Sequence, residues 1–306
     1  MSDVVLILFQ LLALLMIAPL IDGIARKIRA KYQARIGPPI WQTYRDLAKL
    51  FNRSRTMPTH ANPLYKFVPH ILLTISLAIF LTLPITYGLN SFMYGYSDIF
   101  IFLYLDAFFR LVFALGGYDS GSPFAGVGSS REMLLGIYVE PIVILSLCVI
   151  MFACGTSSFL EIKSNVLNGD YGYMVSSFAV ASIAFLWAMY IESGRKPYDF
   201  AEAHEELQEG LLSEYSGRDL ALVQLSLIIK QFCVIGFFLV LFEPWNFSNP
   251  VLAMIVFILE ASALYILGIF IDNFSPRFKI TSMVKQSVAF ASSIAIFSAI
   301  LFVVGV

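Results

Sequence analysis

The sequence predicts an all-α integral membrane protein: a bundle of about eight transmembrane helices, long structured loops on the cytoplasmic side, and both termini on the outer side. Three observations lead there. The chain of 306 residues is 58% hydrophobic but only 13% charged, against about 25% charged for a soluble domain. Its apolar residues gather in runs long enough to cross about 30 Å of hydrocarbon. Its basic residues fall almost wholly in alternate loops.

The predicted spans cover residues 4–21, 67–88, 99–115, 136–154, 173–191, 220–242, 251–271 and 288–306. They are rich in Leu, Ile, Phe and Ala, as lipid-facing helices are, and lack the short alternating segments of a barrel. The first run is read as a true span, because no basic segment precedes it and no small-residue cleavage site follows. The whole of 1–306 forms one membrane domain.

Of the twenty Lys and Arg residues, seventeen fall in odd-numbered loops, ten of them in residues 22–66. The opposite loops hold Lys163 alone, and Arg110 and Lys230 lie within spans. An excess of basic residues marks the cytoplasmic side, so the odd loops are cytoplasmic. In the basic loop 22–66, Trp41, Tyr44, Leu47, Leu50 and Phe51 recur at helical spacing after the Gly37-Pro38-Pro39 break. That pattern predicts an interfacial helix and a docking surface.

Charged residues also occur where lipid should be. Asp106 and Arg110 share a helical face in the third span. Glu140 lies near the cytoplasmic end of the fourth, Lys230 in the middle of the sixth and Glu260 in the middle of the seventh. Each would cost about 2.5–3.5 kcal/mol at the bilayer centre. Two readings compete: static pairs (Asp106 with Arg110, Lys230 with Glu260), or a relay in which crowded carboxylates exchange protons.

The acidic loop 192–219 holds seven carboxylates between Glu192 and Gly217. Asp199 is placed to cap a helix, with Glu202 completing a capping box. Glu202, Glu205 or Glu206, and Glu209 then follow at helical spacing until Gly210. Phe200, Leu207, Leu211 and Leu212 imply partial burial, and Glu192 ends a span. The cluster is therefore a candidate mouth for a proton path.

The chain shows no motif for metal, nucleotide or flavin. Cys148, Cys154 and Cys233 lie in apolar runs without C-x-x-C spacing, and His60, His70 and His204 are scattered. No catalytic, cofactor-binding or metal-ligating residue is assigned. The bilayer is an expected partner and nucleic acid is not.

Three groups of motifs carry a resemblance: "ARIGPP" with "YRDLAKLF", "GSPFAGVGSSRE" with "VEP", and "PYDFAEAHEELQEGLLSEYSG". Over most of its length the chain resembles the membrane-anchor subunit shared by respiratory complex I and membrane-bound NiFe hydrogenases. In complex I the comparable loop typically reads Asn-Arg-x-Pro-Phe-Asp, then Pro-Glu-Ala-Glu. Here it reads Gly194-Arg195-Lys196-Pro197-Tyr198-Asp199, then Ala201-Glu202-Ala203-His204, with His204 in place of a glutamate. These departures look closer to the hydrogenase branch, including formate hydrogenlyase.

The resemblance implies a non-catalytic subunit that docks a cytoplasmic redox arm and links its electron transfer to proton or sodium translocation. The expected partners are hydrogenase-like large and small subunits, an iron–sulfur subunit and antiporter-like membrane subunits. NiFe and iron–sulfur clusters would sit in those partners and none in this chain. By motif position, Glu140, Glu192, Glu202, Glu206 and Glu214 are carried over as the acidic path; the intramembrane Asp106, Lys230 and Glu260 join it from the residue-level reading. Arg35, of the R-x-G-P motif, and Arg45, Arg131, Arg195 and Asp199 are the candidate docking residues. The quinone cavity of the complex I branch is not carried over. A sulfur- or quinone-reducing complex is the near alternative. An independent secondary transporter is the distant one, and no internal repeat supports it. The expected location is the cytoplasmic membrane.

Overall fold

The computed structural model describes residues 3–85, 97–169, 175–201, 204–208, 210–242, 245, 247 and 249–305. These are almost entirely helical. In chain order the helices are α1 (Asp3–Tyr32), α2 (Gln42–Phe51), α3 (Pro63–Thr82), α4 (Ile99–Asp119), α5 (Pro123–Cys154) and α6 (Phe159–Asn168). There follow α7 (Val175–Glu192), α8 (His204–Leu207), α9 (Gly217–Phe242), α10 (Pro250–Phe274), α11 (Ile280–Ser282) and α12 (Ala289–Val304). A 3₁₀ turn covers Gly210–Leu212, and a π-helical segment, Met283–Val288, joins α11 to α12.

Among the described residues, seven helices are long and apolar enough to cross a membrane, the last running Ile280–Val304. The eighth expected span is α7, whose apolar stretch Ser176–Glu192 is shorter. α3 packs on α4 and α9, α5 on α4 and α7, α12 on α5 and α7, and α1 on α9 and α10. Lipid tails are as apolar as Leu, so side-chain packing rather than water exclusion must hold such helices together. Phe237 of α9 illustrates this. Its ring lies 4.0 Å from Phe102, 5.3 Å from Phe159 and 5.1 Å from Phe185, centroid to centroid. Each such pair contributes about 0.5–1.5 kcal/mol beyond its buried area. The outward faces carry exposed Leu12, Met16, Phe152, Leu259 and Val303, a surface suited to lipid.

Contacts among the loops sort the two faces of the bundle. On one, Thr56 and Ser216 hydroxyls lie 2.7 Å apart, and Arg218 Nε donates to the Phe51 carbonyl at 3.1 Å. There too Arg29 near the end of α1 pairs with Asp272 near the end of α10, and Arg277 pairs with Asp199 at 2.9 Å. The odd-numbered loops therefore share one face. On the opposite face Asp98 accepts from Ser157 Oγ at 2.9 Å.

The structure revises several predicted boundaries. α1 has 30 residues, about 45 Å at 1.5 Å per residue, so it runs on through the first part of loop 22–66. Asp22 and Arg26, one turn apart and 2.9 Å from each other, support that extension. The interfacial helix is present as α2. α5 starts at Pro123, thirteen residues before the predicted fourth span. Glu140 therefore sits deep within α5 rather than near a span end.

Of the predicted helix from Asp199 to Gly210, the described residues show the turn α8. The Asp199 carboxylate binds Arg277, and Tyr198 Oη lies 2.8 Å from Ser287 Oγ. Glu202 and Glu209, expected on the same helix, lie outside the described residues. The segment instead seats against α5. A Cβ on Gly128 would meet the Ala201 carbonyl at 2.9 Å and the Leu211 amide at 3.1 Å, both backbone. Gly128→Leu is therefore expected to lift the acidic loop. A leucine gains about 1 kcal/mol of helix propensity over glycine, less than the roughly 1–3 kcal/mol of overpacking. Faster proteolysis within 192–216 of the purified membrane protein would register the loss; unchanged protection would contradict the seat.

Candidate functional site

Arg110 of α4 is the hub of an ion network that is buried except at Glu140, whose side chain is 45% exposed. The Arg110 side chain is 3% exposed. One guanidinium nitrogen, Nη1, donates to Glu140 of α5 and the other, Nη2, to Glu192 of α7. Asp106, one turn earlier, lies 3.7 Å away, and Glu132 of α5 lies 3.9 Å away. Lys230 of α9 completes the set, 3.0 Å from Glu192 and 3.5 Å from Asp106, with its Nζ 5.2 Å from the Phe109 ring centroid. Four helices thus contribute four carboxyl groups and two cations.

Local sequence explains the fit. Glu132, Gly136 and Glu140 recur every four residues, so they form one stripe along α5. A Cβ on Gly136 would overlap the Arg110 guanidinium. The glycine leaves the gap, and the glutamates close it above and below. Asp106 and Arg110 share a face of α4 for the same reason. Arginine suits the hub because its planar fork presents donors in several directions without deprotonating.

A cavity adjoins the network on each side. One of about 60 Å³ is lined by Glu132, Glu192 and Lys230 at its inner end and by Tyr198, Asp199 and Phe200 at the loop end. A second, of about 220 Å³, is lined by Asp106, Arg110, Glu140 and Glu192 with Tyr104 and Phe237. A water needs roughly 10–15 Å³ in such a measure, so both can hold several. Asp106 Oδ1 and Arg110 Nε are buried with no hydrogen-bond partner among the described residues. They lie 3.5 Å from Lys230 Nζ and 3.9 Å from Glu132 Oε1, within ion-pair reach but not at hydrogen-bond length. The arrangement is chemically suited to holding and passing small cations between the loop face and the membrane interior.

The family profile described as NADH dehydrogenase matches residues 4–303. The chain belongs to the NADH dehydrogenase family. This NADH dehydrogenase family member is 42% identical over 269 residues to hydrogenase-4 component C of Escherichia coli strain K12, covering 88% of this chain and 84% of that one. It is 36% identical over 239 residues to formate hydrogenlyase subunit 4 of the same strain, covering 78% and 77%. Among solved structures, a chain of the membrane-bound sulfane sulfur reductase, an archaeal respiratory membrane complex, superposes with a TM-score of 0.85 at 22% identity, over 99% of this chain and 100% of that one. That likeness concerns the fold.

In this NADH dehydrogenase family member the predicted site residues divide into three groups. Asp106, Glu140, Glu192 and Lys230 come together around Arg110. Glu206, Glu214 and Glu260 do not join them. Glu206 pairs with Arg131 at 2.6 Å on the loop face, and that hydrogen bond holds its carboxyl below the usual range. Glu214 sits half-buried near Tyr65. Glu260 accepts from Trp245 Nε1 at 2.6 Å, and its other oxygen is buried without a partner among the described residues. The pairing of Lys230 with Glu260 is thereby corrected: Lys230 faces α4 and α7 instead. Glu202, outside the described residues, forms the third group by itself.

The docking candidates also divide. Arg35 and Arg45 are exposed. Arg131 and Asp199 are engaged by Glu206 and Arg277. Arg195 turns inward, its guanidinium 3.8 Å from the Tyr265 ring centroid and 3.1 Å from Gln231 Oε1.

Sequence reading missed Glu132. Its signal was the four-residue spacing to Gly136 and on to Glu140, hidden because the predicted span began at Gly136.

Proposed function

We propose that this chain is the membrane-anchoring and coupling subunit of a multisubunit, complex I-like membrane-bound hydrogenase in the cytoplasmic membrane. It docks a cytoplasmic redox module on the odd-loop face. It links electron transfer in that module to proton or sodium translocation. Hydrogenase-like large and small subunits and an iron–sulfur subunit would hold the NiFe and iron–sulfur clusters, and antiporter-like subunits would adjoin it in the bilayer. The observation that carries this reading is the Arg110-centred network between two cavities. The 42% identity to hydrogenase-4 component C supports the hydrogenase setting.

The chemistry follows from charge balance. Two cations face four carboxyl groups, so the fully ionised set carries two excess negative charges. In a low-dielectric bundle such an excess is costly, and protons or sodium ions are what would relieve it. A redox-driven shift of the acidic loop would reach the network through the small cavity shared by Asp199 and Glu192.

The test compares two carboxamide variants in the assembled complex. Glu140→Gln, inside the network, is expected to leave hydrogen formation in place. Ion uptake into inverted vesicles should fall about tenfold or more, a modest share of the roughly 10²–10⁴-fold that a positioned proton-transfer group contributes. Glu214→Gln, outside the network, should pump normally. Normal pumping by Glu140→Gln would reduce the chain to a scaffold. Ion transport by the purified chain alone in liposomes would favour an independent transporter.

A further inference from the structure

A cavity of about 720 Å³ lies between α7, α9, α10 and the π-helical segment, sharing Ser193, Tyr198, Gln231 and Val234 with the small cavity beside the ion network but lined by none of the network's charged residues. Its lining has two ends. Ile183, Leu186, Phe238, Leu264, Leu267 and Phe290 form an apolar end. Arg195, Gln231, Tyr198, Ser287 and Ser275 form a polar end, which reaches from Ser275 on the odd-loop side to Gln231 in the middle of α9. Ile183, Leu186, Leu267 and Phe290 are exposed on the outer surface of the bundle, so the apolar end opens to the bilayer. Such a shape takes an amphiphile with its head at the loop face and its chain pointing toward the membrane centre.

Hydrophobic gain cannot select the occupant. A chain leaving the bilayer for this cavity exchanges one apolar environment for another. The polar end must therefore decide, and its charge is positive. Arg195 has no carboxylate within ion-pair distance among the described residues. It is braced by Tyr265 beneath it and by Gln231 Oε1. On the same face Arg29, Arg131 and Arg277 are each paired with an acid. A braced, unpaired guanidinium at the head of an apolar slot matches a phosphate, which it can bind through two parallel hydrogen bonds.

We propose that this cavity is a binding site for one anionic phospholipid of the odd-loop leaflet. The phosphate sits on Arg195, with Gln231 and the Ser287 hydroxyl nearby, and one acyl chain lies along Ile183, Leu186 and Leu267. The site is independent of the ion-coupling reading. The π-helical turn places Gln286 and Ser287 at the polar end, and α12, which begins directly after it, places Phe290 at the apolar end of the same slot.

The experiment uses the purified complex, delipidated in detergent and titrated with phosphatidylglycerol or phosphatidylcholine, with bound lipid counted by native mass spectrometry. The wild type is expected to retain one tightly held phosphatidylglycerol that phosphatidylcholine does not replace. Arg195→Gln should weaken it about fivefold, the effect of one basic residue near an anionic lipid surface, and Arg195→Lys should restore part of the loss. Gly268→Leu should displace the lipid without unfolding α10. A Cβ there meets Tyr190 at 3.6 Å and Arg195 at 3.9 Å, both ordinary contacts, and the rest of the side chain enters the slot. Equal retention of both lipids, or unchanged phosphatidylglycerol in both Arg195→Gln and Gly268→Leu, would overturn the proposal. So would displacement of the lipid by a short-chain quinone at equal concentration, which would make the occupant a neutral ring.

Discussion

Arg110→Leu is expected to prevent accumulation of the folded subunit. The side chain is 3% exposed and contacts four carboxyl groups on three helices. Removing one partner of a buried ion pair costs about 3–5 kcal/mol, because the remaining charge stays buried without compensation. Here the imbalance worsens, from two cations against four acids to one. A cost of that size is a large part of the total stability of most proteins. Arg110→Lys should recover little, since a single ammonium cannot satisfy Glu140 and Glu192 as the guanidinium fork does. Quantifying the subunit in membranes, and the thermal midpoint of what is extracted, checks both variants. Normal levels of Arg110→Leu would mean that the network does not hold α4, α5 and α7 together.

Glu192→Gln should behave in the opposite way: a stable complex that does not couple. Glu192 accepts from both Arg110 and Lys230 and lines both cavities flanking the network. It is thus the carboxylate placed at the junction of the two. The amide keeps the shape and an acceptor oxygen, and losing an anion moves the set toward neutrality, so assembly should survive. What disappears, on the proposed coupling role, is the carboxylate that would exchange a cation between the cavities. Hydrogen formation should persist while ion translocation falls about a hundredfold, within the range that loss of a positioned proton-transfer group produces. Vesicle assays of both activities on one preparation make the comparison. Translocation near the wild-type level would place the path elsewhere, and Glu260, with its unpartnered oxygen, would become the next candidate.

Much of this architecture was legible from the residues alone. Long apolar runs and one-sided Lys and Arg predicted the spans, and the structure gathers the odd loops on a single face as that asymmetry requires. The family was legible too, in the Arg35 and Glu140 motifs and in the acidic loop. These signals are local: hydrophobic run length, charge against sequence position and fixed spacing along one helix all survive in a linear string.

Pairing did not survive in that form. Nothing in the sequence told Lys230 to face Glu192 rather than Glu260, since either acid satisfies the same rule that a buried cation needs an anion. Asp199 stood in an ideal place to cap a helix, and nothing local announced that its carboxylate also binds Arg277, 78 residues away. Glu132 looked like a loop residue until α5 proved to begin at Pro123. Residue order was enough to establish that this chain crosses a membrane, which of its loops lie together, and that it buries charges it must neutralise. Which charge answers which emerged with the packed helices and not before. An ion pair depends on distance and direction in space, and those are fixed by how the four helices rotate and slide against one another.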